Sequence, residues 1–370
     1  ISTFSGASGL TGSIPEGLPL VVTSSMALSV QRMAKKNAIV RKLNAVESLG
    51  SADVICCDKT GTLTMNEMTV REIYVDSCLY NVSGSGYNPA GKILPIEGYY
   101  SRSHSLEKLI KAGVLCNNAT LDNKADKWQI QGDPTEGALI TLAHKMNLDV
   151  DSIKSSHSCL QEIPFDSNKR YMTSVVSCED RKYAYCKGAL DTILQKCKTI
   201  YENGKERLLT STDKERIQYS SEEMADNALR VLAFAYKKID STSPEVEDNF
   251  VFLGFVGMED PPREGVKESI QKCHNAGIKV VMITGDHMKT AGAIGKQLGL
   301  FTDGLILSGG ELDKMTDEEL DLKINRIQIF ARTTPEQKYR IVRAFKRCGH
   351  IVAMTGDGVN GAPAIKEADI

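Results

Sequence analysis

The sequence predicts an α/β protein: a doubly wound parallel sheet carrying a large inserted α+β domain, preceded by part of a transmembrane helix. Three observations predict it. Four short apolar runs, Val54 to Cys57, Ile278 to Thr284, Ile327 to Ala331 and Ile351 to Met354, read as buried parallel strands. Helical patterns separate the last three, as in a sheet built from crossover units. Residues 68 to 258, between the first run and the others, have a different texture of short strand-like runs, Gly/Asn turns and helical stretches, so they read as an insertion.

Composition bounds the function. The 370 residues suffice for two or three domains. A net charge of −2 with 25% charged residues shows no basic excess, which argues against a nucleic-acid partner. Ten cysteines without a C-x-x-C pair give neither a zinc nor a redox motif, and they are expected as reduced, cytosolic thiols.

In chain order, Ile14 to Val30 holds one charge, Glu16, and is at the short end of a membrane span. The basic cluster Arg32, Lys35, Lys36, Arg41 and Lys42 follows, the asymmetry of a cytosolic flank. A buried core helix is the alternative. Pro15 and Pro19 flank Glu16-Gly17-Leu18; they interrupt the helical ladder and free backbone carbonyls. Carbonyls beside an intramembrane carboxylate suit a hard cation such as calcium, and also manganese.

The Val54 strand stops at Asp58, followed by Lys59, Thr60, Gly61, Thr62, Leu63 and Thr64. An Asp at a strand end is most often a helix cap. A cap leaves unexplained the lysine, threonines and glycine crowded into the same turn, which together offer a nucleophile, a cation and donors for an anion. The turn-rich Ser83 to Pro89 is expected as a loop and the acidic stretch 211 to 229 as a surface helix. The later strands end in Thr284-Gly285-Asp286, in Arg332 followed by Lys338, and in Thr355-Gly356-Asp357. Each Thr-Gly-Asp alone is an ordinary turn; the set places Asp58, Thr284, Lys338 and Asp357 on one sheet edge, where ligands of open α/β sheets bind. No G-x-x-x-x-G-K-[ST] occurs, so a P-loop ATPase is not supported.

Asp58 to Thr64, DKTGTLT, resembles the phosphorylation motif of the P-type ATPases, ion pumps that pass through an aspartyl phosphate. The split sheet is similar to that of haloacid-dehalogenase-like phosphotransferases. The resemblance implies four segments: 1–34, a fourth transmembrane helix; 35–67, the first part of a phosphorylation domain; 68–258, a nucleotide-binding domain; and 259–370, the second part of the phosphorylation domain, truncated. It implies ATP and Mg²⁺ as cofactors. Asp58 would attack the γ-phosphate; Lys59 shares its motif. Asp58, the Thr60 carbonyl and Asp357 would hold Mg²⁺, Lys338 would neutralise the phosphoryl group, and Thr60 and Thr284 would donate to its oxygens. Such charge placement is what attack by an anion on an anion requires.

The inserted segment carries Gly132 to Ala138, Pro164-Phe165, Lys187-Gly188-Ala189 and Leu229 to Ala233, which resemble nucleotide-domain motifs of the same pumps. The roles implied are adenine stacking on Phe165, a pocket with Glu136, Met172, Lys187 and Gly188, and phosphate contacts from Arg170 and Arg230. Thr284, Gly285, Asp286, Arg332 and Asn360 are implied as further ATP contacts. Seen alone, Phe165 is more often a core residue and Lys187 a solvated one. Asp260-Pro261-Pro262-Arg263 resembles the hinge where the chain leaves this domain.

Pro15-Glu16-Gly17-Leu18-Pro19 resembles calcium pumps and sodium/potassium pumps, and implies Glu16 with the carbonyls of Thr11, Gly12 and Ile14 as ligands of the transported ion. Arg32 to Arg41 and the compact inserted domain resemble secretory-pathway calcium/manganese pumps, which implies Ca²⁺ transport, Mn²⁺ as a second cargo, the lipid bilayer as surroundings and a Golgi membrane with the catalytic domains cytosolic. An actuator domain and the other transmembrane helices are expected outside these residues. One departure stands in the chemistry: Gly361 occupies a position that is acidic in the family, so slow phosphorylation is expected, rescued by Gly361→Asp. Two alternatives are a sodium/potassium-type pump and a soluble haloacid-dehalogenase-like phosphatase. Such phosphatases usually carry a second Asp two residues after the nucleophile, where this chain has Thr60; a third is a non-catalytic nucleotide-binding module.

Overall fold

The computed structural model describes residues 17–36, 38–40, 44–96, 104–124, 127–239, 246–356 and 361–370. They form two compact units, one of Ile1–Thr62, Gly265–Met288 and Gly295–Ile370, the other of Leu63–Glu264 with Lys289–Ile294.

Val54–Asp58 (β1) opens the first unit, and the chain then leaves it. The second unit follows, with Thr69–Val75 (β2), Cys78–Val82 (β3), Ile93–Pro95 (β4), Thr120–Lys124 (β5), Lys127–Gln131 (β6), Ser158–Asp166 (β7) and Tyr171–Cys178 (β8). It continues through Arg181–Gly188 (β9), Cys197–Glu202 (β10), Lys205–Leu208 (β11), Arg230–Ile239 (β12) and Phe250–Glu259 (β13). The chain then returns to the first unit with Lys279–Ile283 (β14), Leu305–Ser308 (β15), Ile327–Ala331 (β16) and Val352–Thr355 (β17).

In the first unit the order is β15-β16-β14-β1-β17, and every pairing is parallel. The parallel runs are apolar on both faces because helices cover both. Val54, Cys56, Val281, Ile283, Ile327 and Phe330 share one core cluster. The register sets Asp58 opposite Ile283, Cys57 opposite Thr355 and Ile283 opposite Phe330, so the three central strands end together. The helix Pro335–Arg347 begins there because Thr334 and Gln337 form a capping box and Pro335 fits the first turn. That start puts Lys338 one turn into the helix.

The sequence sets the N-terminal span from Ile14. The described helix is Leu18–Ala34, with Pro19 in its first turn and no buried residue. Its 17 residues reach about 26 Å at the α-helical rise, short of a ~30 Å hydrocarbon core. No described helix is long and apolar enough to cross a membrane. Thr11, Gly12, Ile14 and Glu16, expected as ligands of the transported ion, lie outside the described residues, as do Asp357 and Asn360.

The second unit is built on a sheet whose main path β4-β3-β2-β13-β12-β9-β8-β7 is antiparallel, with β10 pairing parallel to β13 and antiparallel to β11. Strand alternation gives it a core on each face. Ile73, Phe234 and Val256 face one side, with Leu109 and Leu139 of the helices His104–Leu115 and Pro134–Lys145. Phe252, Phe255 and Tyr74 face the other, with Ile193 and Ile217 of the helices Leu190–Lys196 and Ser211–Asp226. Where the chain enters and leaves this unit its two crossing segments are tied. Thr64 bridges Pro262, the Met65 amide donates to the Pro261 carbonyl at 3.0 Å, and the Thr64 hydroxyl donates to Asp260 Oδ2 at 2.6 Å.

Candidate functional site

In the first unit Asp58 terminates β1, and the chain turns at once: Gly61 takes φ +73°, a left-handed conformation that glycine adopts without strain. Thr60 stays extended at φ −71°, ψ 129°. The Lys338 ammonium donates to Asp58 Oδ2, and Lys59 pairs with Asp286 Oδ2 at 2.6 Å. Both lysines are buried. A buried cation must be paired, and each here faces a carboxylate at the sheet edge. Asp58 Oδ1 accepts no hydrogen bond among the described residues.

The Thr284-Gly285-Asp286 turn is locked in place. Thr284 accepts the Asp286 amide on its hydroxyl at 3.1 Å, and its own amide donates to the Phe330 carbonyl at 2.9 Å. Arg332 sits at φ +53°, unusual for a side-chain-bearing residue, and its amide donates to the Asp286 carbonyl at 2.8 Å. The Thr333 hydroxyl and amide both reach the Thr284 carbonyl. Asp58, Lys59, Thr60, Thr284, Gly285, Asp286, Arg332 and Lys338 therefore share one sheet edge. Behind Asp58 the Cys57 thiol is pushed up to about 11 by burial, which makes it packing and not a second nucleophile.

The edge fits a hard divalent cation by its donor set. Asp58 Oδ1 and the Thr60 carbonyl are oxygen donors, and the Thr355 hydroxyl, across from Cys57, is buried without a hydrogen-bond partner among the described residues.

The second unit holds a cavity of about 470 Å³, lined among others by Glu136, Phe165, Arg170, Met172, Lys187 and Arg230. Gly188 lines it too; it pairs with Tyr171 on β8 and Ala233 on β12, and an added Cβ would stand 2.5 Å from the Arg170 carbonyl oxygen. Only glycine lets the strands approach so closely there. Glu136 lies in the first turn of Pro134–Lys145, whose N-cap Asp133 accepts the Thr135 and Glu136 amides. Phe165 projects from edge strand β7 with 61% of its surface exposed, so it is not the core residue that its type suggests.

Two residues differ from a plain ligand-contact role. Lys187 is buried, and its ammonium donates to Glu136 Oε1 at 2.5 Å and to the Cys116 carbonyl at 2.6 Å. Arg170, at φ +60°, pairs with Asp191 and with the Thr192 hydroxyl at 3.2 Å. Both line the cavity with their charge already partnered. Asn118 and Glu162 line it as well; in the sequence Asn118 shows only as the start of the sequon Asn118-Ala119-Thr120, and Glu162 carries no signal of a ligand site.

The parallel sheet with its polar edge and separate antiparallel insertion has the architecture of haloacid-dehalogenase-like phosphotransferases. Residues 105–265 match the family of P-type ATPase, cytoplasmic domain N. The calcium-transporting ATPase of Bacillus subtilis is 43% identical over 99% of this chain and 42% of its own length. The cation-transporting ATPase pma1 of Synechocystis is 44% identical over 96% of this chain and 41% of its own length. The bovine calcium-transporting ATPase type 2C member 1 is 42% identical over 96% of this chain and 37% of its own length. The chain spans about two fifths of the length of these relatives. Residues 105–265 thus carry the cytoplasmic domain N of a P-type ATPase, and the chain is similar to calcium-transporting ATPases over nearly its whole length.

Proposed function

We infer that the protein is an ATP-driven calcium pump, with manganese as a second cargo, working through an aspartyl phosphate at Asp58. The carrying observation is Asp58 at the end of a central parallel strand, bonded to Lys338 and flanked by the Lys59–Asp286 pair. Relatives named as calcium-transporting ATPases support the ion; manganese and a Golgi membrane rest on the resemblance of Arg32 to Arg41 and of the compact inserted domain to secretory-pathway pumps.

ATP occupies the cavity of the second unit, with its base on Phe165 and its phosphates towards Arg230. An Asp58 oxygen attacks the γ-phosphorus; that O–P bond forms, the bridging P–O bond breaks, and ADP leaves. Lys338 neutralises the arriving phosphoryl group, and Thr60 and Thr284 donate to its oxygens. Asp58, the Thr60 carbonyl and Asp357 would hold Mg²⁺, which when bound would supply charge neutralisation at the phosphate oxygens. The Lys59–Asp286 pair holds the two strand ends in register around this chemistry. Glu16, with the Thr11, Gly12 and Ile14 carbonyls, binds the cargo ion within the membrane.

The test is label transfer from γ-labelled ATP in membranes of cells expressing the protein, with Ca²⁺, Mn²⁺, Na⁺ or none of them. Acid-stable, hydroxylamine-sensitive label that needs Ca²⁺ or Mn²⁺ and vanishes in Asp58→Asn is expected. Label supported by Na⁺ alone replaces the calcium reading with a sodium/potassium-type one. Label that survives Asp58→Asn overturns the site.

A further inference from the structure

Polar groups line the nucleotide cavity at several points. Glu136 accepts one hydrogen bond on each oxygen: Oε1 from Lys187 Nζ at 2.5 Å and Oε2 from the Asn118 backbone amide at 2.9 Å. Lys187 and Arg170 are partnered as described above. Asp133, Thr135 and Arg230 line it too, as do Asn118 and, three residues before Phe165 on β7, Glu162. Asn118 Nδ2 donates to Glu162 Oε1 at 3.0 Å. The pair stands between this cavity and a second one of about 280 Å³, and lines both.

We propose that Asn118, held in one orientation by Glu162, reads the edge of the nucleobase and selects adenine over hypoxanthine. The proposal rests on the reading of this cavity as an ATP site. A carboxylate only accepts hydrogen bonds, so the Asn118 amide nitrogen must face Glu162. That leaves Oδ1 and the second N–H of Nδ2, an acceptor and a donor side by side. The adenine edge presents the complement, the N6 amine beside an unprotonated ring nitrogen, which is how asparagine recognises adenine elsewhere. In hypoxanthine an oxygen replaces the amine and would face Oδ1, leaving two acceptors in contact. The amide cannot turn over to suit it, because Oδ1 would then face the Glu162 carboxylate. Asn118 is the contact residue; Glu162 is a positioning residue.

The test is competition of ATP and ITP against a fluorescent ATP analogue bound to the full chain, in the wild type, Asn118→Ala, Glu162→Gln and Phe165→Ala. The wild type is expected to prefer ATP by about tenfold or more. Asn118→Ala should weaken ATP and bring the ratio near one. Glu162→Gln lets the amide turn, because glutamine can donate to Oδ1; ATP should bind nearly as before while ITP gains, a shift that a merely structural role would not produce. Phe165→Ala should weaken both nucleotides alike. Tight ATP binding with a wild-type ratio near one, or a ratio untouched in both Asn118→Ala and Glu162→Gln, overturns the proposal and leaves the ATP site standing. A wild type that binds neither nucleotide removes the ATP reading itself, and this one with it.

Discussion

Lys59 and Asp286 form a 2.6 Å ion pair across the ends of two neighbouring parallel strands, β1 and β14. The lysine side chain is 6% exposed and the aspartate 33%. Asp286→Asn removes the carboxylate that stands 2.6 Å from this buried ammonium. We expect a loss of about 2–3 kcal/mol, below the ~3–5 kcal/mol of a fully buried pair because Asp286 is a third open to solvent. Urea unfolding measures it. Lys59→Met should cost less, since the exposed partner is readily hydrated; equal costs would refute this asymmetry.

Gly361 offers a repair. It precedes the helix Ala362–Glu367 at φ −93°, and among the described residues an added Cβ would meet Ile365 Cδ1 at an ordinary 3.6 Å. Aspartate is a favoured residue before a helix. Gly361→Asp should fold at least as well and raise the rate of phosphoenzyme formation roughly tenfold or more, as a restored charge near the transferring group would. Rapid-quench labelling decides it: an unchanged rate rules out Gly361 as a lesion.

At Gly188 the constraint is steric. A methyl group there would lie 2.5 Å from the Arg170 carbonyl oxygen and 2.6 Å from Tyr171 Cβ. Gly188→Ala forces β8 and β9 apart and should cost about 1–3 kcal/mol. ATP affinity should fall with it, because Arg170 and Met172 follow β8. Thermal unfolding and nucleotide titration, run together, would both have to stay unchanged to discard this.

Lys145 ends its helix buried, donating to the Ser83 carbonyl at 2.8 Å. Burial first, and then the nearby Arg71 charge, push it down to about 8 from an ordinary 10.5. The unfolded chain therefore binds more protons than the folded one between pH 8 and 10.5, so this residue's contribution to stability improves as pH rises through that window. Below pH 8 its cost is present in full. Relative to Lys145→Met, the wild type should gain about 2 kcal/mol between pH 7.5 and 10. A pH-independent difference would count against a displaced titration.

The parallel sheet was legible because its strands are continuous apolar runs that stop on polar residues. Ile327 to Ala331 and Val54 to Cys57 need no tertiary information to be seen. The Asp58 turn was legible because chemistry crowds seven consecutive positions. The cavity was less so. Phe165 looks like core because its exposure depends on β7 being an edge, a property of strand order and not of local sequence. Lys187 looks like a free cation because Glu136, its partner, is brought to it by a different helix. Asn118 and Glu162 come together from a loop and a strand with no spacing rule between them. Partnership across the fold is what a linear reading loses.

Eight of the nine residues of β7 are exposed and the ninth, Ile163, is half-buried; Leu160 and Phe165 are among those displayed. An open edge with apolar side chains is a template on which another chain can add a strand, the first step of fibril growth. Pro164 stands beside Phe165, lacks the amide that such a strand would need, and falls where the register with β8 shifts between Ile163 and Asp166. Glu162 adds a charge on the same stretch. The aromatic ring can thus remain open to a ligand while the backbone around it refuses self-association, so replacing Pro164 would turn a binding surface into a seed for aggregation.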